Sequence, residues 1–284
     1  MKKEKKIVMK KSLIISKYNI IEKSKSIIAY YLILISTLYM IIYSRSILES
    51  IDSSNKLIVL LKTVNAIRKG QLMTAGLEFI SMIFMLILGF SLFKSSFKLS
   101  TANNVSKKEY FVGILLSIVQ ISLIVSVFDL VINRFLNLYA SSPTLYEAMF
   151  SNFRQIGYGD NSYIPWLNNS FLESILGILF HFFIYSAMAS FGILIRIIYY
   201  KLNVFLSVLL FIGSLVLFIV VIYKSIMSNN FIYSALAVVS KLSGYDIQSP
   251  LVGILTSAGF ILINLGLFYL ILRKTYIKND FLDY

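Results

Sequence analysis

Few side chains in this sequence are candidates for a catalytic or binding site. The ionisable candidates lie in or beside long apolar segments. Glu78, Asp129, Arg134 and Glu173 are the ionisable residues of this kind, and a charge buried in an apolar medium is costly unless it has a partner. Together they could form an acidic vestibule that receives a cationic amphipathic cargo. They could also form an ion pair between helices, Arg134 with Asp129 or Glu78, and we favour the ion pair.

Catalysis and metal binding have little support in the sequence. It contains one His and no Cys, so we expect no metal centre and no bound cofactor. Hydrolysis inside a membrane needs paired acids, a Ser with a base, or a His-rich motif, and no such pair occurs at matching depths. We therefore expect no catalytic residue in this chain.

Two further polar residues lie deep in apolar segments. His181 and Gln120 each fall ten residues into such a segment, so the two side chains are expected at a similar depth and could touch. We interpret them as hydrogen-bonding residues between helices, with pathway lining or a proton relay as the alternatives. If the helices enclose a pathway, the candidates to line it are Glu78, Gln120, Asp129 and His181.

The elements that position these residues are helices in a membrane. Of 284 residues, 58% are hydrophobic and 14% are charged, which is far from the composition of a soluble domain. A spanning helix needs about 20 apolar residues, and six segments qualify: 27–43, 72–93, 110–132, 171–195, 204–223 and 250–272. Lipid offers no partner to free backbone groups, so each segment must be helical. The sequence predicts an all-α polytopic membrane protein with six transmembrane helices.

Basic residues predict the orientation of these helices in the cell membrane. With the N-terminus inside, 18 of the 27 Lys and Arg residues fall in cytoplasmic segments, and nine fall in the outer loops 44–71, 133–170 and 224–249. Positive charge concentrates on the cytoplasmic side of membrane proteins, so both termini are expected to be cytoplasmic. The net charge of +14 also favours contact with anionic lipid, and nucleic acid is not an expected partner.

Two segments are expected to lie at the membrane without crossing it. Residues 1–26 place apolar side chains among nine Lys residues, which predicts a cytoplasmic amphipathic elbow helix in the headgroup layer, with a solvated basic tail as the alternative. Residues 224–249 contain an apolar stretch that is too short to cross, so we expect a re-entrant pair of short helices before the last span. One side of that last span carries small or polar residues that predict close contact with a neighbouring helix: Gly253, Ser257, Gly259, Asn264 and Gly266.

The most informative polar segment is the sixteen-residue cytoplasmic link between the second and third spans. Ser100 or Thr101 could cap a short helix, and Asn104 tolerates a left-handed turn. Ser106 and Glu109 have the spacing of a capping box that begins the third span. The link is therefore predicted to be structured.

This layout of spans, elbow, structured link and re-entrant segment resembles that of a type-2 ATP-binding-cassette permease. The sharpest local match is at residues 102–113, ANNVSKKEYFVG, which is similar to the A-N-G-x-S-R-K-x-F-F pattern of Gram-positive permeases of this kind. The sequence departs from the pattern at two positions. Asn104 stands where Gly is expected, and Lys107 stands where Arg is expected, which keeps the charge but loses the planar guanidinium.

The resemblance implies a half-transporter whose permease domain covers residues 27–284. A second permease subunit, identical or related, would complete the pathway, and a separate ATP-binding-cassette ATPase would dock on the coupling segment 94–109, with a coupling helix between Ser95 and Ser106. The implied coupling residues are Ser100, Ala102, Asn103, Asn104, Val105, Ser106, Lys107 and Lys108. The sequence contains no G-x-x-x-x-G-K-[ST] motif, so ATP and Mg²⁺ are expected on the partner, and this chain is not expected to be an enzyme.

The resemblance alone predicts export rather than import. The expected cargoes are amphipathic peptides such as toxins, bacteriocins or phenol-soluble-modulin-like peptides, or hydrophobic antimicrobials, and an aromatic content of 15% suits an oily cargo. An alternative is a membrane immunity or interaction protein that sequesters peptides without an ATPase. An ion-coupled transporter is a third hypothesis, but the inverted repeat expected of that class is not evident.

Overall fold

The chain is helical throughout the part that the structure, a computed structural model, describes: residues 2–49, 76–136, 144–150, 171–203 and 237–275, with 205–210, 212–213, 216 and 220. Those residues include no strand, which confirms the all-α prediction. The helices are α1 (Lys2–Glu49), α2 (Gly76–Ser91), α3 (Lys94–Ala102), α4 (Lys107–Leu136), α5 (Leu145–Phe150), α6 (Phe171–Lys201) and α7 (Pro250–Arg273). Residues 205–210 and 237–243 are also helical.

Four stretches of helix are long and apolar enough to cross a membrane. They are Glu78–Ala102, which combines α2 with α3, then Lys107–Phe135, Leu172–Lys201 and Pro250–Arg273. They correspond to the second, third, fourth and sixth predicted spans. Their length and composition support a membrane protein with transmembrane helices.

The predicted elbow and the predicted first span lie together in α1. This helix runs without interruption from Lys2 to Glu49, so residues 1–26 are helical as expected from Lys2 onward, but no turn separates them from residues 27–43. The physical reason is the composition of this stretch, which contains no Gly or Pro, the residues that most often end a helix. Within the fifth predicted span, 204–223, residues 205–210, 212–213, 216 and 220 are described and helical. The rest of that span and most of the outer loops 44–71, 133–170 and 224–249 lie outside the described residues.

Helices α1 and α4 run parallel at a fixed register. Three hydrogen bonds join them at an offset of 97 or 98 residues, Ser12 to Glu109, Asn19 to Ser117 and Tyr31 to Asp129. Residues 12–31 of α1 therefore lie beside residues 109–129 of α4. Of the predicted first span 27–43, only the first part is level with α4.

Helices α4 and α6 run antiparallel. At one end of the bundle, Tyr110 of α4 and Tyr200 of α6 both pack on Phe97, with ring centroids 5.4 and 6.1 Å away. Further along, the Tyr185 hydroxyl of α6 donates to Asp129 Oδ2 of α4 at 2.5 Å. The two contacts fix which residues of α4 and α6 lie at the same level.

Helices α6 and α7 run parallel, although they are close in sequence. Gly253 packs against Phe180, and further along both helices Asn264 Nδ2 donates to Ser190 Oγ at 3.2 Å. Parallel neighbours begin at the same end of the bundle, so the chain between Lys201 and Pro250 must return along the length of α6. From residue 180 to residue 201 that length is about 32 Å, at roughly 1.5 Å per residue.

The closest helix crossing joins α2 and α6 through two glycines. Gly89 faces the backbone of Ala189, and Gly192 faces the backbone of Leu86, so that a Cβ at either glycine would overlap a carbonyl group. Small residues allow membrane helices to approach this closely. The crossing is surrounded by fully buried Met85 and Ile193, and it holds the centre of the bundle together.

Candidate functional site

The link between the second and third spans forms a helical hairpin. The helix is interrupted at residues 92 and 93 after α2 and resumes as α3. The chain then turns at Asn103 and enters α4. Helix α3 lies along α1, because Ser95 Oγ donates to Glu22 Oε1 at 3.0 Å and Lys11 Nζ donates to the Asn104 carbonyl at 3.4 Å. We call residues 102–108 the hairpin tip.

The end of α3 is fixed by a Schellman motif. Val105 N–H donates to the Ser100 carbonyl at 2.9 Å, and Asn104 N–H donates to the Thr101 carbonyl at 3.1 Å. Asn104 has a φ of 51°, the left-handed conformation that the sequence predicted. Asn tolerates this conformation better than most residues other than Gly, which explains why it can stand where Gly was expected.

The start of α4 is fixed by the predicted capping box. Glu109 N–H donates to Ser106 Oγ at 3.2 Å, and Ser106 N–H donates to Glu109 Oε2 at 2.7 Å. Lys107 Nζ also donates to the Arg273 carbonyl at 2.8 Å, which ties the tip to the end of α7. The tip therefore has one well-defined backbone conformation.

The predicted helix cap at Ser100 or Thr101 is wrong. Helix α3 already begins at Lys94, and both residues lie within its last turns. Their hydroxyls donate back along the helix, Ser100 to the Ser96 carbonyl at 2.6 Å and Thr101 to the Phe97 carbonyl at 2.5 Å. Ser and Thr inside a helix can satisfy their hydroxyls in this way, so their presence does not mark a helix start.

Most of the hairpin tip is open to a partner. Of the predicted coupling residues, five are exposed: Ala102, Asn103, Asn104, Ser106 and Lys108. Val105 and Lys107 are half-buried, and Val105 packs against the core. Ser100 is buried, and its hydroxyl is used within α3.

The opposite end of the bundle contains three acids, which we call the buried carboxylate cluster: Glu78 and Glu147, which are buried, and Asp129, which is half-buried. Glu78 is 2% exposed, and its Oε1 accepts from Leu145 N–H at 3.3 Å. Asp129 accepts hydroxyl hydrogen bonds from Tyr31 at 3.0 Å and from Tyr185 at 2.5 Å. Each acid thus belongs to a different helix, and hydrogen bonds join them to α1, α5 and α6.

Arg134 forms an ion pair, as predicted, but the predicted partners, Asp129 and Glu78, are wrong. Arg134 Nη2 instead lies 2.7 Å from Glu147 Oε1, and the Glu147 side chain is only 2% exposed. Sequence reasoning missed Glu147, although Thr144 and Glu147 have the spacing of a capping box. That capping box is present, since Thr144 N–H donates to Glu147 Oε2 at 2.9 Å and Glu147 N–H donates to Thr144 Oγ1 at 3.2 Å.

His181 and Gln120 do not touch, contrary to the prediction. Gln120 is exposed, and its Oε1 accepts from Ser16 Oγ of α1 at 2.5 Å. His181 is 3% exposed, and its Nδ1 lies 2.7 Å from the Gly177 carbonyl one turn earlier in α6.

Helix direction explains why these two residues are separated. Tyr185 meets Asp129 where α4 and α6 run antiparallel. His181 therefore lies beyond Asp129 while Gln120 lies before it, about 20 Å apart along the helix axes. Of the four candidate pathway residues, Glu78, Asp129 and His181 share one end of the bundle, and Gln120 belongs to the contact between α1 and α4.

The end of the bundle around the buried carboxylate cluster is unusually polar. Buried polar atoms normally have hydrogen-bond partners. Buried atoms there that have no partner among the described residues include Glu78 Oε2, Arg134 Nη1, His181 Nε2 and Ser186 Oγ.

The described residues contain no group of three or more His, Asp or Glu side chains placed to hold a metal ion. No protein-family model, no curated protein and no solved structure matches the chain.

Proposed function

We propose that this chain is the membrane subunit of an ATP-binding-cassette exporter, and that the hairpin tip docks the separate ATPase that powers it. The observation that carries this proposal is a tip with exposed side chains on a fixed backbone. A docking element must be accessible and must also resist bending, because a compliant contact would absorb the motion of the ATPase instead of passing it on.

Contacts behind the tip give a route for that motion. The Tyr110 hydroxyl of α4 donates to the Phe93 carbonyl at 3.1 Å and lies 3.0 Å from Ser96 Oγ. Phe93 also packs against Tyr200 of α6 and Phe268 of α7, with centroids 5.2 and 6.1 Å away. A displacement of α3 would therefore reach α4, α6 and α7 through one aromatic cluster.

Six crossings account best for the helix directions. Helices α6 and α7 run parallel, so the chain between them must cross the bundle once more, and the apolar residues 204–223 are the segment available for this return. Helix α1 runs parallel to α4, as the first and third of six alternating spans should. With six crossings, both termini lie on the same side of the cell membrane, and we assign that side to the cytoplasm.

The N-terminal segment and the segment before the last helix also fit this proposal. Residues 11–22 of α1 lie along α3 and would brace the tip, which is the role expected of the elbow. Residues 237–243 are helical, and Gly244, with a φ of 78°, turns the chain toward α7. We assign this helix as the second half of a re-entrant pair.

The proposed cargo is an amphipathic peptide or a hydrophobic antimicrobial, which leaves the cell through a pathway completed by a second permease subunit. The polar end around the buried carboxylate cluster would receive the charged part of such a cargo. ATP and Mg²⁺ would bind only to the partner ATPase, and the host would be a Gram-positive bacterium.

Docking can be tested by changing exposed charge at the tip without disturbing the fold. In the double variant Ala102→Glu, Lys108→Glu both side chains are exposed. An acid at position 108, in the first turn of α4, is favourable for the helix dipole and offsets the unfavourable acid at position 102, at the end of α3. We expect wild-type protein, purified from the membranes of its own host in mild detergent, to retain a Walker-A ATPase in near-equal amount. The tip variant should retain about tenfold less ATPase than wild type, or even less. A tenfold loss of affinity corresponds to roughly 1.4 kcal/mol of binding free energy.

The matched control is Lys241→Glu, an exposed lysine in the helix 237–243 at the other end of the bundle. It should retain the ATPase as well as wild type does. Purification of an intact wild-type chain without any ATPase would contradict the proposal. If that lone chain still protected cells from a peptide, the sequestering immunity protein would be the better account.

A further inference from the structure

A second site lies beside the hairpin, where α1, the junction of α2 and α3, and α6 meet. These helices line an open cleft of about 480 Å³, which we call the basic pocket. The charged residues that line it are Lys23, Lys94, Lys98, Arg196 and Glu22. With four basic side chains and one acid, the pocket has a strong preference for an anion.

The single acid in the pocket is already engaged. Glu22 Oε1 lies 2.9 Å from Lys23 Nζ, and the same carboxylate accepts from Ser95 Oγ at 3.0 Å. The Lys23 side chain is 11% exposed, so the ion pair is largely shielded from water. Among the residues that line the pocket, no second acid is present to balance the charges of Lys94 and Arg196.

Arg196 is held in an orientation that suits phosphate. Its guanidinium carbon lies 4.8 Å from the centre of the Phe90 ring, a cation–π contact that limits the movement of the side chain. A stacked guanidinium keeps its N–H groups in one plane, and they match the oxygens of a phosphate group. The flexible Lys94 ammonium can then supply a second charge to the same group.

Apolar side chains beside the pocket indicate where the rest of the ligand would lie. On α2, Ile83 and Ile87 are 59% and 58% exposed. They lie two turns and one turn before Phe90, on the same face of the helix. Acyl chains could cover these side chains while the headgroup enters the pocket.

We propose that the basic pocket binds the phosphate group of an anionic phospholipid. Basic pockets between membrane helices recognise anionic headgroups in this way. The lipid would link α1 to the base of the hairpin and so stabilise the bundle next to the tip. This proposal does not require an ATPase, and it stands or falls independently of the exporter.

The test uses the full chain in an uncharged detergent and follows its thermal unfolding as lipid is added. Phosphatidylglycerol should raise the unfolding midpoint in a saturable manner, while phosphatidylcholine, whose headgroup has no net charge, should have little effect. Lys94→Gln and Arg196→Gln should each weaken the apparent affinity for phosphatidylglycerol about tenfold, as expected for loss of a charged hydrogen bond. Arg196→Lys, which keeps the charge but loses the planar group, should fall between wild type and Arg196→Gln.

The control is Lys274→Gln, an exposed lysine at the end of α7 and outside the pocket, which should change the affinity less than about twofold. Equal weakening by Lys274→Gln and Lys94→Gln would show attraction by net charge alone and would overturn the site. Inorganic phosphate distinguishes the source of the ligand. If it stabilises wild type as strongly as phosphatidylglycerol does, and Lys94→Gln removes the effect, the lipid assignment is overturned in favour of a soluble phosphate.

Discussion

Replacing Gly192 with leucine is expected to prevent the protein from accumulating as a folded bundle. A side chain at this position would overlap the backbone of Leu86 and Phe90 in α2, and a backbone cannot move aside as a flexible side chain can. The two helices would have to separate, with a cost on the order of 3 kcal/mol, at the upper end of the range for overpacked cores. The measurement is the amount of monodisperse protein extracted from membranes and its unfolding midpoint.

Gly259→Leu provides the matched control for this prediction. Gly259 lies inside α7, where no atom of the described residues comes within 4 Å of the position that a Cβ would take, and leucine favours a helix more than glycine does. This variant should be extracted as well as wild type. Normal stability of Gly192→Leu would mean that α2 and α6 do not cross through these glycines.

Removing either partner of the pair between Arg134 and Glu147 should destabilise the protein by about 3 kcal/mol, the lower end of the range for a buried ion pair. The lower end applies because the Arg134 side chain is 23% exposed, whereas Glu147 is 2% exposed. Arg134→Gln leaves the Glu147 carboxylate buried without its cation. Thermal unfolding of Arg134→Gln, Glu147→Gln and the double variant measures the coupling between the two residues.

The double variant should be more stable than the sum of the two single effects predicts, because it leaves neither charge unpaired. Asp246→Asn, an exposed acid at the same end of the bundle, should change the free energy of unfolding by less than about 0.5 kcal/mol. Purely additive effects in the double variant would show that Arg134 and Glu147 do not interact.

Local signals in the sequence predicted local structure well. The capping box of Ser106 and Glu109 and the left-handed turn at Asn104 depend on residues within one turn of each other, and both are confirmed. Runs of apolar residues predicted six spans, and four of these are confirmed as helices long and apolar enough to cross a membrane. These features need no knowledge of which helices become neighbours.

Contacts between residues that are distant in the chain could not be predicted from the sequence. The partner of Arg134 depends on how α5 packs against the end of α4, and the separation of Gln120 from His181 depends on how α4 is aligned with α6. Glycine content was also ambiguous. Gly253 makes the close contact expected in the last span, but no other described residue comes within 4 Å of a Cβ position at Gly259 or Gly266. A small residue alone does not reveal which face of a helix meets a neighbour.

The uninterrupted α1 illustrates a third limit. Charge and hydropathy divided it into an elbow and a span, but neither property breaks a helix. Only a residue such as Gly or Pro, or a competing contact, would have forced a turn. The register of α1 against α4 comes instead from hydrogen bonds such as Asn19 to Ser117, which pair residues 98 positions apart.

The most direct test of the exporter proposal is the side of the membrane on which the hairpin tip lies. The chain contains no Cys, so Asn103→Cys and Lys241→Cys each introduce one thiol at an exposed position, at opposite ends of the bundle. A maleimide that cannot cross membranes should label Asn103→Cys in inside-out vesicles but not in intact cells, and should label Lys241→Cys in intact cells. Labelling of Asn103→Cys in intact cells would put the tip outside the cell, where no ATP-driven partner could reach it, and would contradict the account.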